Sequence, residues 1–179
     1  MAEPKSAGAR QVRLAPVKEQ KQQYLAFGLG GDSFAMEIVY VKEVIQYTDL
    51  TQVPLMPSFI RGVINLRGAT VPVLDLSVRL GRALTQIARR SCVVILEVPR
   101  NEVPMVVGVI VENVSEVLEL AASDIDATPA FGTDARSEFL KGVGKVGERF
   151  VMLLDVKHVL SLDELTILAV GPATEGGSS

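Results

Sequence analysis

Apolar residues along this chain come in short runs cut by Gly, Pro and Asn, with almost no stretch at helical spacing. YLAFGLGGDSFAMEIVYV, residues 24–41, reads as apolar run, Gly-Gly-Asp-Ser turn, apolar run, which predicts a hairpin. A bend around Val41 to Glu43 leads into VIQYTDLTQVP, a strand that ends at its Pro. PSFIRG predicts one helical turn, capped by Ser58 and closed by Gly62. GVINLR and ATVPVLDL follow as strands joined at Arg67-Gly68, and Pro72, lacking a ladder donor, places the second at an edge or a barrel corner. SCVVILEV and VPMVVGVIVE predict a hairpin across Pro99 to Glu102, VSEVLEL a further strand, and SDID a turn. SEFLKG then leads to GVGKV and RFVMLLDV across Gly147-Glu148, and LDELTIL after Ser161 predicts a closing helix.

The pattern repeats itself. FIRGVINLRGATVPVLDL at 59–76 returns without a gap 80 positions later as FLKGVGKVGERFVMLLDV at 139–156. Phe59 meets Phe139, Gly62 meets Gly142, Val71 meets Val151, Leu74 meets Leu154 and Asp75 meets Asp155. A fainter match at a spacing of 73 sets Val41 on Val114, Glu43 on Glu116 and Val44 on Val117. Such self-similarity means one structural unit used twice. Short strands punctuated by Gly and Pro, without the helices a doubly wound sheet requires, predict a mainly all-β chain of two packed small barrels. The expected boundaries are a tail at 1–21, a first barrel near 22–84, a second near 90–160, a helix near 161–168 and a tail at 169–179.

Composition narrows the function. Hydrophobic content is 48% and mean hydropathy +0.31, yet no apolar run reaches the length of a membrane helix. The N-terminus lacks the apolar centre of a secretory signal, so a cytoplasmic location is expected. A net charge of -3 and a pI near 5.3 argue against a general nucleic-acid binder. The lone Cys92 sits in an apolar run and the lone His158 has no partner at metal-ligand spacing. Gly28, Gly30 and Gly31 precede a strand, not the helix N-terminus of a phosphate site. Asp75 and Asp155 form a pair at equivalent positions, each placed to cap a helical turn. Arg67 stands apart: its counterpart is Gly147, so the fold does not require Arg there, and a planar donor at a hairpin tip suits carboxylate recognition on another protein, while spacing alone fits a solvated turn Arg equally.

GVINLRGATVPVLDL, with FIRG upstream, resembles the signature of the CheW-type chemotaxis coupling proteins, and the likeness runs over nearly all of residues 23–168. The resemblance implies two SH3-like five-stranded barrels and no active site, cofactor or metal. It implies an adaptor that links chemoreceptors to a histidine kinase of the CheA type, docking barrel against barrel on the kinase regulatory domain. Receptor hairpin tips would lie in an apolar groove between the barrels, recruiting the protein to membrane-bound arrays. Carried over by position, the partner-binding residues are Val41, Glu43, Gly62, Arg67, Val114, Val117 and Gly142. Other readings are the same adaptor in a pathway for pili, gliding or biofilm, or a small-molecule-binding or hydrolytic double barrel using Asp75 and Asp155.

Overall fold

The computed structural model describes residues 20–100, 102–127 and 139–160. The tails and the helix expected at 161–168 lie outside these residues, apart from the end of the first tail. Among the described residues eleven strands form in chain order: β1 (Lys21–Leu29), β2 (Asp32–Glu37), β3 (Val41–Gln46), β4 (Ile60–Leu66), β5 (Ala69–Asp75), β6 (Cys92–Val98), β7 (Met105–Val111), β8 (Asn113–Ala121), β9 (Ile125–Asp126), β10 (Leu140–Val146) and β11 (Arg149–Leu154). One-turn helices α1 (Leu76–Arg79) and α2 (Val156–Val159) follow β5 and β11. Turns of 3-10 helix at Ile38–Tyr40 and Ala122–Asp124 bend the chain before β3 and β9, so the bend expected at Val41 to Glu43 falls just ahead of them.

The strands build two sheets, in the orders β3-β6-β7-β5-β4 and β9-β10-β11-β2-β1-β8. Each closes on itself. Beyond β3, Thr51 bridges Val63 of β4, which joins the two ends of the first sheet. Beyond β8, β9 pairs Asp126 with Val143 of β10, the residue 80 positions after Val63. The result is the pair of SH3-like barrels expected from the sequence.

The expected division at 84–90 is not where the barrels divide. Hairpin β1–β2 belongs to the second barrel and hairpin β6–β7 to the first, so the halves exchange hairpins. Both repeats hold in the register: Val73 pairs with Gly108 in parallel, and their counterparts Leu153 and Ala35 pair in the same way. The exchanged hairpins alternate and are buried on both faces. Tyr24, Ala26 and Ala35 fill the interior of the second barrel, while Leu25, Phe27, Leu29, Phe34 and Met36 enter a core shared by both. On the other hairpin Val93, Ile95 and Ile110 fill the first barrel, and Val94, Leu96, Val107 and Val109 enter the shared core. Burying each Val, Leu, Ile, Phe or Met among them stabilises by about 1.5–3 kcal/mol.

Two local expectations are corrected. Pro72 lies on β5, an interior strand, at the point where the parallel ladder to β7 has not yet begun. Its counterpart Met152 does pair, with Phe34, so the missing N–H shortens the ladder without needing an edge. The turn at PSFIRG closes earlier than Gly62, with Ile60 N donating to Pro57 O at 2.9 Å, and Gly62 sits inside β4 at a bulge.

Candidate protein-docking surface

Leu66 and Ala69 flank a two-residue turn in which Arg67 has φ 52° and Gly68 φ 87°. Asn65 Oδ1 accepts from Gly68 N at 3.0 Å and holds the turn. The left-handed backbone suits Gly68, as it suits Gly147 (φ 63°) in the other barrel, and opposes the Cβ of Arg67. The side chain is therefore kept against local preference. It reaches back to β3, where its guanidinium grips Glu43 through two parallel bonds, Nη1–Oε2 at 2.8 Å and Nη2–Oε1 at 2.7 Å. These bonds hold the Glu43 carboxyl below its ordinary value and the Arg67 guanidinium above its own. The carboxylate that the sequence reading assigned to another protein is met first within this chain.

The second barrel repeats the device with different parts. Glu116, the counterpart of Glu43, accepts from Arg149 Nη2 at 3.0 Å. Val41 and Val114 are half-buried against the shared core, and Val44 and Val117, next in sequence to Glu43 and Glu116, stand 40% and 48% exposed. Arg149 and Val44 escape sequence reading because the 80-residue repeat sets Ala69 opposite Arg149, and because Val44 alternates with residues that read as core.

Gly62 and Gly142 leave the partner-binding set. Both are buried, and a Cβ would come within 2.6 Å of Thr51 O at Gly62 and 2.5 Å of Asp126 O at Gly142. Their role is to let the strand that closes each barrel approach the backbone, which explains why both copies of the repeat carry glycine.

The space between the barrels is largely filled by the shared core. An open groove of about 430 Å³ lies where residues 38–40 cross from one barrel to the other. Val39, Tyr40, Val41, Pro99 and Pro104 line it, and Lys42 and Glu97 pair at 3.3 Å beside it. Val39 is 78% exposed. Of the positions carried over from the resemblance, only Val41 lines this groove. Pro99 and Pro104 come from the connection of the β6–β7 hairpin.

The two aspartates are caps. Asp75 is fully buried and accepts from Ser77 N at 3.0 Å, Val78 N at 3.3 Å, Thr85 N at 3.0 Å and Thr85 Oγ1 at 2.7 Å, besides pairing with Arg61. Asp155 accepts from His158 N at 3.2 Å and pairs with His158 Nδ1 at 2.8 Å. Among the described residues no cluster of three or more His, Cys, Asp or Glu could hold a metal. No helix among them is long and apolar enough to cross a membrane.

Comparison with known proteins agrees with this framework. Residues 23–164 match the family model for the CheW-like domain. The chain is 35% identical to chemotaxis protein CheW of Klebsiella aerogenes over 147 residues, covering 82% of this chain and 86% of that one. It is 32% identical to protein FrzA of Myxococcus xanthus over 130 residues, covering 73% and 78%. The crystal structure of the scaffolding protein TtCheW from Thermoanaerobacter tengcongensis superposes with a TM-score of 0.71 at 25% identity, covering 85% of this chain and 96% of that chain.

Proposed function

The chain belongs to the CheW-like domain family, and from that premise we propose that it is a non-catalytic adaptor joining chemoreceptor tips to a histidine kinase. The observation that carries the reading is the bidentate Arg67–Glu43 pair at an exposed hairpin tip. An Arg held at positive φ where the sister barrel uses Gly marks a side chain kept for something other than the fold. The pair presents a fixed pattern of charge at the hairpin tip, which suits docking of a second barrel by charge complementarity. The groove lined by Val39, Val41 and Pro104 suits the apolar face of a helical receptor tip, with Lys42 and Glu97 setting its direction.

Binding decides the proposal. The purified chain is titrated with the regulatory domain of a chemotaxis kinase and with a receptor tip fragment, alone and together. A ternary complex weakened by Arg67→Ala in a chain that remains folded is the expected result. Absence of binding to kinase regulatory domains from flagellar and non-flagellar pathways alike overturns it.

A further inference from the structure

Neither half of the chain can close a barrel by itself. Residues 21–79 supply β3, β4 and β5 to the first barrel and give β1 and β2 away, while residues 92–160 supply β8 to β11 to the second and give away β6 and β7. The contacts that result are mutual and follow a two-fold pattern. Val73 against Gly108 in one barrel is Leu153 against Ala35 in the other. Within each half the geometry repeats as well: Asp75 N donates to Phe59 O at 2.7 Å, and Asp155 N to Phe139 O at the same distance. Thr51 closes on Val63 as Asp126 closes on Val143. A surface that meets its own counterpart about a two-fold axis is the geometry of a homodimer.

The segment between the halves is loosely held. Residues 81–90 are exposed apart from Thr85. Up to Thr85 the segment is tied to the first half, through Ser77 Oγ to Ala83 O, Arg82 to Leu29 O and Asp32, and Thr85 to Asp75. From Ala88 it belongs to a turn with Ser91 that leads into the second half. Gln86 and Ile87 form the seam between these two sets of bonds.

We propose that residues 21–79 and 92–160 are the two partners of a fused two-fold dimer, and that the surface each offers accepts the matching half of a second copy of this chain. The covalent link raises the local concentration of the partner, and its own bonds tie residues 82–85 to the first half and 88–91 to the second.

The full-length chain with a protease recognition sequence inserted between Gln86 and Ile87 is folded, purified and cut. The cut protein should keep the mass of the uncut chain under native mass spectrometry and keep one cooperative thermal transition. After unfolding in urea with an isotope-labelled cut sample, dilution should give complexes of one labelled and one unlabelled half in the proportions of random pairing. Separation of the halves on cutting, refolding of one half alone, or absence of mixed complexes would each overturn the proposal. A second insertion between Arg89 and Arg90, in the exposed turn, guards against a local effect of the first. Failure of both inserted chains to fold before cutting would show that the connector is part of the fold, and would overturn it equally.

Discussion

Arg79 donates from Nε to the carbonyl of Val159 at 2.7 Å, and Val159 is its own counterpart in the repeat. The guanidinium also lies over the rings of Phe59 and Phe139, at 4.8 and 5.0 Å from their centroids, and those two residues are counterparts as well. Where two equivalent one-turn helices approach a common axis, one side chain can occupy the gap and two cannot. The duplication is thus broken at its centre, with Arg on one side and Val on the other. A flat cation between two ring faces gains from both. Arg79→Met keeps the apolar stem and loses the cation and the hydrogen bond, so urea unfolding should show a loss of about 1–3 kcal/mol. Arg79→Lys should recover only part of it, because an ammonium cannot lie flat between the rings.

The equivalent aspartates should differ in cost. Asp75 is buried with an Arg61 partner and Thr85 on it, so Asp75→Ala strands buried donors and should lose about 3–5 kcal/mol. Asp155 is half-exposed and caps one short turn, and Lys141, the counterpart of Arg61, turns instead to Glu37 at 3.2 Å. Asp155→Ala should therefore lose about 0.5–2 kcal/mol. Denaturant unfolding of each variant measures both. Equal losses would mean that the buried network around Asp75 contributes nothing beyond a cap.

Gly62→Ala and Gly142→Ala each press a methyl group into a backbone carbonyl of the closing strand. Each should lose about 1–3 kcal/mol in denaturant unfolding, by similar amounts. Partner binding measured well below the unfolding midpoint should stay near wild type, since both positions are covered.

The repeat was open to reading from Phe59, Gly62, Leu74 and Asp75 because the residues that fix a turn, a close approach or a cap cannot drift without cost. The strands were legible for the same reason, through their Gly and Pro boundaries. The hairpin exchange was not, since β1–β2 and β6–β7 have the same double-faced apolar pattern and would satisfy either barrel. Only the path of the chain decides between them. The groove was hidden in EIVYV, where an unbroken apolar run gives no sign that Val39 faces solvent while Val41 leans on the core. Glu43 and Arg67 were each visible as candidates. Their pairing depends on how the hairpin tip folds over β3, which no local pattern contains.

Arg67→Gly separates fold from function most sharply. Glycine takes the left-handed backbone at this turn without strain, as Gly147 does in the other barrel, so the melting temperature should be no lower than that of the wild type. Kinase and receptor binding should fall nonetheless, because the charge pattern at the tip is gone. The same variant has a pH signature. The Arg67 bonds depress the Glu43 carboxyl in the folded chain, so their contribution is present above the ordinary carboxylate value and is lost as pH falls through the depressed one. In Arg67→Gly the Glu43 titration followed by NMR should move up toward the ordinary carboxylate value, and the acid-side loss of stability due to this pair should vanish. A Glu43 titration unchanged by the substitution would mean that the pair does not form in solution. A drop in melting temperature like that of Gly62→Ala would mean that Arg67 serves the barrel after all.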